Sequence, residues 1–173
     1  MIDESLITEY NGTTFSVEKV DGVSQLTFAN NSDHVIANIE RGAVVFAGDC
    51  SDCGAYTALY ENATWDNILV IGLGLGVLPQ YIKENKSPTV IDVLDDNSDL
   101  ISYVNFLDSN INIIEGDAYT YTPNKKYDII IVDLYWNESE VTAEMKTNLI
   151  NNYSSHLESG GIIVLPISGI ILE

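Results

Sequence analysis

Three glycines at alternate positions, Gly72, Gly74 and Gly76, interrupt the apolar stretch Asn67-Ile-Leu-Val-Ile-Gly-Leu-Gly-Leu-Gly-Val-Leu-Pro79. Glycine accepts left-handed backbone and carries no side chain, so such a run lets a chain turn sharply and lets a nucleotide-like ligand approach the main chain. Acids then recur, each directly after an apolar run. Asp95 follows residues 89–94, Glu115-Gly116-Asp117-Ala118 follows 111–114, and Asp133 follows 128–132. Asp95 comes twenty-three residues after Gly72, near the offset at which an acid meets ribose hydroxyls in α/β units. Each acid has a structural alternative. Asp95, with Asp96 and Asn97, serves as a helix cap, Gly116-Asp117 as a turn, and Asp133 as a partner for its own loop. Four such features in strand order favour one ligand cleft over four unrelated turns.

The elements that must position these residues follow from periodicity. Residues 14–20 and 23–28 alternate around Asp21-Gly22, and 34–40 and 43–47 flank Arg41-Gly42 in the same way, which predicts β-hairpins. Tyr56, Leu59 and Tyr60 at helical spacing predict a short helix over 53–62. From Trp65 onward strands alternate with helices. Strands are predicted over 68–71, 89–94, 111–114, 128–132 and 162–165. A helix with Pro79 in its first turn follows the glycines. Another, capped by Asn97 or Ser98, presents Leu100, Ile101, Val104 and Leu107 on one face. Val141, Met145, Leu149, Tyr153 and Leu157 line a longer helix that Gly160-Gly161 ends. Runs such as Ile129-Ile-Ile-Val132 suit strands buried on both faces, hence a parallel sheet. The predicted fold class is α/β: a doubly wound, mainly parallel sheet over 64–173 behind a small N-terminal β-hairpin region over 1–63.

Composition bounds the partners. The 173 residues are 46% apolar, enough for a real core in one domain. Twenty-six acids against seven bases give a net charge of −19, which repels phosphate backbones and attracts cations. Nucleic acid is not an expected partner, whereas a small cationic acceptor such as a polyamine is. A solvated acidic surface, or a mimic of DNA, accounts for the same charge without a substrate. The opening Met1-Ile-Asp-Glu does not read as a secretory leader, and the apolar run at 161–172 is too short to cross a membrane. A cytoplasmic location without membrane contact is expected. Cys50-Ser-Asp-Cys53 offers half a zinc site that only His34 and His156 could complete, and no metal is expected.

The ordered motifs Gly-Leu-Gly-Leu-Gly, Asp-Val-Leu-Asp95, Glu-Gly-Asp117-Ala118 and Tyr-Asp-Ile-Ile-Ile-Val-Asp133 resemble those of class I S-adenosylmethionine-dependent methyltransferases, whose fold is Rossmann-like. Within that fold, Gly72-Leu-Gly-Leu-Gly-Val-Leu-Pro79 looks most like the spermidine synthase-like, or aminopropyltransferase-like, branch. The resemblance implies S-adenosylmethionine or its decarboxylated form as cofactor. It places Gly72, Gly74 and Gly76 along the cofactor, Asp95 on its ribose, Asp117 and Ala118 at its adenine, and Asp133 as the catalytic acid that holds the attacking amine. Tyr56, Tyr135 and Glu138 are the candidate substrate contacts, Tyr56 at the place of the branch's Tyr-Thr or Tyr-His pair and Glu138 or Glu140 as a substitute for its second acid. Aminopropyl transfer to a diamine is the leading expectation, with a small-molecule methyltransferase or a degenerate, non-catalytic member as alternatives. The chain departs from the branch pattern after Asp133, where Leu-Tyr-Trp-Asn137 replaces its second acid and proline. The fold's usual last two strands have no counterpart after 165, so strand five, or a neighbour, is expected to be an edge that a homo-oligomer or the N-terminal β-region covers.

Overall fold

A computed structural model describes residues 2, 4–21, 23–29, 37–40, 43–46, 62–134, 142–165 and 170–172. Strands β1 (Tyr10–Asn11), β2 (Phe15–Val20), β3 (Val23–Phe28), β4 (Ala37–Glu40) and β5 (Ala43–Phe46) pair antiparallel in that order. Val20 pairs with Val23 across the β2–β3 turn, where Asp21 has φ of 52°, as a tight hairpin of matching twist requires. Alternation along β2 and β3 buries Phe15, Val17 and Leu26 and exposes Glu18.

The larger sheet holds β6 (Asn67–Ile71), β7 (Val90–Asp95), β8 (Ile111–Glu115), β9 (Tyr127–Val132), β10 (Leu157–Leu165) and β11 (Ile170–Leu172), in the spatial order β11-β10-β9-β6-β7-β8. β6 to β10 are mutually parallel and β11 runs antiparallel to β10. Strand order reverses between β6 and β9, which opens a crevice at their carboxyl ends. Helices α1 (Val77–Lys86), α2 (Ser98–Tyr103) and α3 (Ala143–Ser154) flank the sheet.

Both faces of the strands are buried, which explains their unbroken apolar runs. Ile68, Val70, Ile91, Val93, Ile129 and Ile131 pack with Leu78 and Ile82 of α1 and Leu100 of α2. Leu69, Ile71, Ile130, Val132 and Ile163 pack with Leu149 and Tyr153 of α3. Ile7, Phe15, Val17 and Leu26 of the N-terminal region join the first of these cores, so the two sheets share an apolar interior. No helix among the described residues is long and apolar enough to cross a membrane.

Three sequence expectations need correction. The helix predicted to run to Leu157 stops at Ser154, and Leu157 begins β10. Gly160-Gly161 lies inside that strand: Gly160 has φ of 81°, and the register against β9 shifts between Leu157 and Ile162. The pair forms an irregularity in a strand, where glycine admits both the left-handed backbone and the close approach of Gly161 to Tyr127 O. Leu107 lies beyond α2 instead of on its face. Strand five is not left as an uncovered edge, because β11 pairs with it at Ile163, Val164 and Leu165.

Asp92 is a charge inside this sheet, 1% exposed and paired with Leu69 in the middle of β6. A buried carboxylate is tolerated only when its lone pairs are occupied. Asn112 Nδ2 donates to Oδ1 at 2.8 Å, while the Tyr127 hydroxyl at 2.7 Å and Lys125 Nζ at 2.9 Å serve Oδ2. Burial alone would raise this carboxyl, but the three donors outweigh it and hold it below the ordinary 3.8. Such a group stabilises the fold above its unfolded value and loses that contribution as pH falls through the lowered one. Tyr127→Phe should therefore cost about 1.5–3 kcal/mol in urea unfolding at pH 7. The gap from the parent should narrow in acid, as Asp92 takes a proton.

Candidate functional site

β6 ends at Ile71, and the next turns need left-handed backbone: φ is 108° at Gly72, 51° at Gly74 and 74° at Gly76. The three glycines answer to different constraints. A Cβ at Gly72 would stand 2.2 Å from Asp133 O, because Asp133 N–H donates to Ile71 O at 2.7 Å and draws β9 alongside. A Cβ at Gly76 would stand 2.6 Å from Leu107 Cδ2, whereas one at Gly74 meets no atom within 4 Å among the described residues. Gly72 and Gly76 thus satisfy packing, and Gly74 turns toward open space. Gly76 leads into α1 without a side-chain cap or an acid in the first turn, leaving the positive end of the helix dipole facing the loop.

Asp95 closes the other side of this loop. Its Oδ2 accepts Leu73 N–H at 2.8 Å and its Oδ1 accepts Asn97 N–H at 2.9 Å. Burial raises its carboxyl above the ordinary value against those two donors. Gly72 N–H donates to Leu94 O at 2.8 Å and Gly116 N–H to Asp95 O at 2.9 Å, so the β6, β7 and β8 ends form one hydrogen-bonded rim. Each carboxylate oxygen has two acceptor sites, so Asp95 retains one on each for a ligand diol.

Asp117 is exposed and makes a turn in which Oδ1 accepts Tyr119 N–H at 2.8 Å. Ala118 beside it is buried. From α3, the Tyr153 hydroxyl donates to Ala118 O and Asn152 Nδ2 to Tyr119 O, both at 2.8 Å. The sequence offered Tyr153 only as a core position; its clamp on this loop emerges from the parallel packing of β9 and β10, which periodicity does not report. Asp133 is half-buried beside Gly72, and burial pushes its carboxyl up to about 6.

The fold therefore brings Gly72, Gly74, Gly76, Asp95, Asp117, Ala118 and Asp133 to one edge of the sheet, on the carboxyl ends of four adjacent strands. The implied substrate contacts Tyr56, Tyr135 and Glu138, and also Cys50 and Cys53, lie outside the described residues.

A sheet of this order, with a glycine loop after its first strand and acids after the next ones, is the Rossmann-like fold of class I S-adenosylmethionine-dependent methyltransferases. A methyltransferase structure from Clostridium acetobutylicum matches 65% of this chain and 47% of its own at 18% identity and a TM-score of 0.52. The plantazolicin methyltransferase BpumL, solved with SAH, matches 64% of this chain and 43% of its own at 23% identity and a TM-score of 0.54. In sequence, the chain is 33% identical over 106 residues to malonyl-[acyl-carrier protein] O-methyltransferase 2 of Ilyobacter polytropus. That match covers 60% of this chain and 39% of the relative, so the chain spans about two fifths of the length of the curated relatives that it matches. No protein-family model matches it. These likenesses go with the methyltransferase fold; none of them carries the spermidine synthase-like branch.

Two outcomes test the geometry. Gly72→Ala should be far more damaging to thermal stability than Gly74→Ala, whose cost is the left-handed strain alone, about 1–2 kcal/mol. Asp133→Asn should stabilise the chain. A carboxyl raised from 3.8 to about 6 has no effect on stability below its unfolded value, destabilises progressively as pH rises between the two values, and costs a constant amount above the folded one. Melting curves of variant and parent should coincide at about pH 3, separate as pH rises from about 4 to 6, and keep a constant gap above that, the variant melting higher.

Proposed function

We propose that this chain binds S-adenosylmethionine across the β6–β9 crevice and serves methyl transfer to a small acceptor. The observation that carries this reading is the shared rim of Gly74, Asp95, Asp117 and Asp133. Open space at Gly74 gives an adenosyl ligand room beside the main chain, and a Cβ there would intrude on it. Asp95 offers two acceptor sites for a ribose diol, and Asp117 and Ala118 border an adenine position. The methyltransferase relatives in sequence support the same reading. When bound, the sulfonium supplies an electrophilic methyl carbon and a neutral thioether leaving group.

Little remains for the protein but orientation, which is worth roughly 7–11 kcal/mol in well-aligned reactions. The glycine loop and Asp95 hold the donor side. Asp133 serves the acceptor side: its carboxylate holds the nucleophile's N–H or O–H and takes the proton released as the new bond to carbon forms. A malonyl group, as named for the Ilyobacter enzymes, carries a carboxylate. The acids along this rim and the net charge of −19 disfavour such an anion and favour an amine.

Aminopropyl transfer to a diamine is the second reading, favoured by the same acidic rim and by the Gly72–Pro79 string. The two differ in the nucleoside left behind, S-adenosylhomocysteine for methyl transfer and methylthioadenosine for aminopropyl transfer. Calorimetry with both, and with S-adenosylmethionine and its decarboxylated form, should show binding that favours the carboxylated pair and is lost in Asp95→Ala. Tighter binding of methylthioadenosine and the decarboxylated form would reverse the order of the two readings. Where turnover is measurable, the rate should rise with pH through about 6 as Asp133 ionises and then level off. Asp133→Asn should abolish that limb.

A further inference from the structure

Among the described residues, the N-terminal sheet reaches the rim of the crevice through the turn that precedes β2. The turn at Gly12–Thr14 is pinned by Gly12 N–H to Phe15 O at 3.0 Å and by Ala29 N–H to Thr14 O at 2.9 Å. It rests on an aromatic cluster in which Tyr10 stacks on Phe15 at 4.5 Å and both lie against Tyr103 of α2, at 5.4 and 5.6 Å. The Tyr103 hydroxyl donates to Thr8 O at 2.6 Å. From this platform the Thr14 hydroxyl points at the first turn of α2, 3.3 Å from Asn97 Oδ1 and 3.2 Å from Asp99 Oδ2. The N-terminal segment therefore grips α2 at both ends, by Thr8 at the last turn and Thr14 at the first.

The bonds continue inward. Asn97 Oδ1 also accepts Leu100 N–H at 3.0 Å and so caps α2. Asn97 N–H donates to Asp95 Oδ1, and Asp95 Oδ2 accepts Leu73 N–H in the glycine loop. Two polar side chains, Asn97 and Asp95, separate Thr14 of the N-terminal sheet from the loop. A chain of hydrogen bonds can transmit position between rigid elements, though the linkage has to be measured as an energy.

We propose that the N-terminal sheet is part of the ligand-binding apparatus. Thr14 is a positioning residue that orients Asn97 and Asp99, through them the Asp95 turn, and through Asp95 the Leu73 N–H of the glycine loop. The effect on affinity rests on the reading of that loop as the adenosyl site; the structural linkage does not. Thr14→Val keeps the side-chain shape and removes the donor at an exposed position, and Thr14→Ser restores it.

The test uses the full chain, with amide chemical shifts and calorimetry of S-adenosylhomocysteine. Thr14→Val should move the Asn97 and Leu73 amides while leaving Tyr119, in the opposite loop, in place. It should weaken binding about threefold to tenfold, the range of one net hydrogen bond. Thr14→Ser should match the parent in both. Asp99→Ala should move the Leu73 amide in the same direction, and the double variant should add less than the sum of the two. An unmoved Leu73 amide in Thr14→Val, or strictly additive effects of Thr14→Val and Asp99→Ala, would overturn the proposal. A parent that binds no S-adenosylhomocysteine would sink the adenosyl reading instead, and the Leu73 amide would still decide the linkage.

Discussion

The carboxylate of Asp95 joins the glycine loop to the turn after β7, beside the main-chain bond from Gly72 N–H to Leu94 O. Three of the five residues from Gly72 to Gly76 are glycines in left-handed backbone, and such a segment has little conformational preference of its own. Regular pairing ends at Ile71, so the loop's N–H groups need partners from elsewhere. Leu73 finds one in Asp95 Oδ2, and Asn97 finds another in Oδ1. Hydrogen bonds to an ionised group contribute about 1.5–3 kcal/mol each; here burial outweighs the two donors in setting the carboxyl's raised value, and the bonds fix the loop's shape. Removing the carboxylate would leave the glycines as freedom without direction.

The close crossing of β6 and β9 is the second constraint. Asp133 N–H on Ile71 O carries the parallel pairing one residue past β9 and brings the Asp133 main chain against Gly72. Only glycine fits there. The same crossing leaves the Asp133 side chain desolvated, with its carboxyl raised to about 6. Asp92 makes the contrast: it is buried more deeply, inside β7, yet three donors hold it ionised. A buried acid with donors serves the fold. One without them costs stability, and such costs concentrate where a site needs reactivity.

Much of this was legible in the sequence because it follows from periodicity and turn chemistry. The hairpin at Asp21-Gly22, the five parallel strands, the Asn97 cap and the order of the acids are all local patterns. The errors arose where local patterns are ambiguous. Gly160-Gly161 reads as a helix terminator, and the strand irregularity it forms depends on how closely Tyr127 O approaches Gly161. Leu107 sits at helical spacing but serves to fill the space under Gly76. The links that build the site, Leu73 to Asp95, Tyr153 to Ala118 and Thr14 to α2, join residues far apart in sequence and involve backbone groups. Residue type does not advertise such partners. The aminopropyl branch rests on short strings, Gly72–Pro79 with Tyr56-Thr57 and the Asp21–Gln25 turn, and the relatives in sequence and structure speak for the methyltransferase fold alone.

The central claim is that the carboxyl ends of β6, β7, β8 and β9 form one adenosyl site. Amide chemical-shift mapping of the full chain with S-adenosylhomocysteine tests it most directly. The account predicts saturable shifts at Gly72, Leu73, Gly74, Asp95, Asn97, Asp117 and Ala118, with Asn112 and Tyr127 at the opposite end of the sheet unmoved. Shifts confined to other parts of the chain, or none at a saturating ligand concentration, would contradict it.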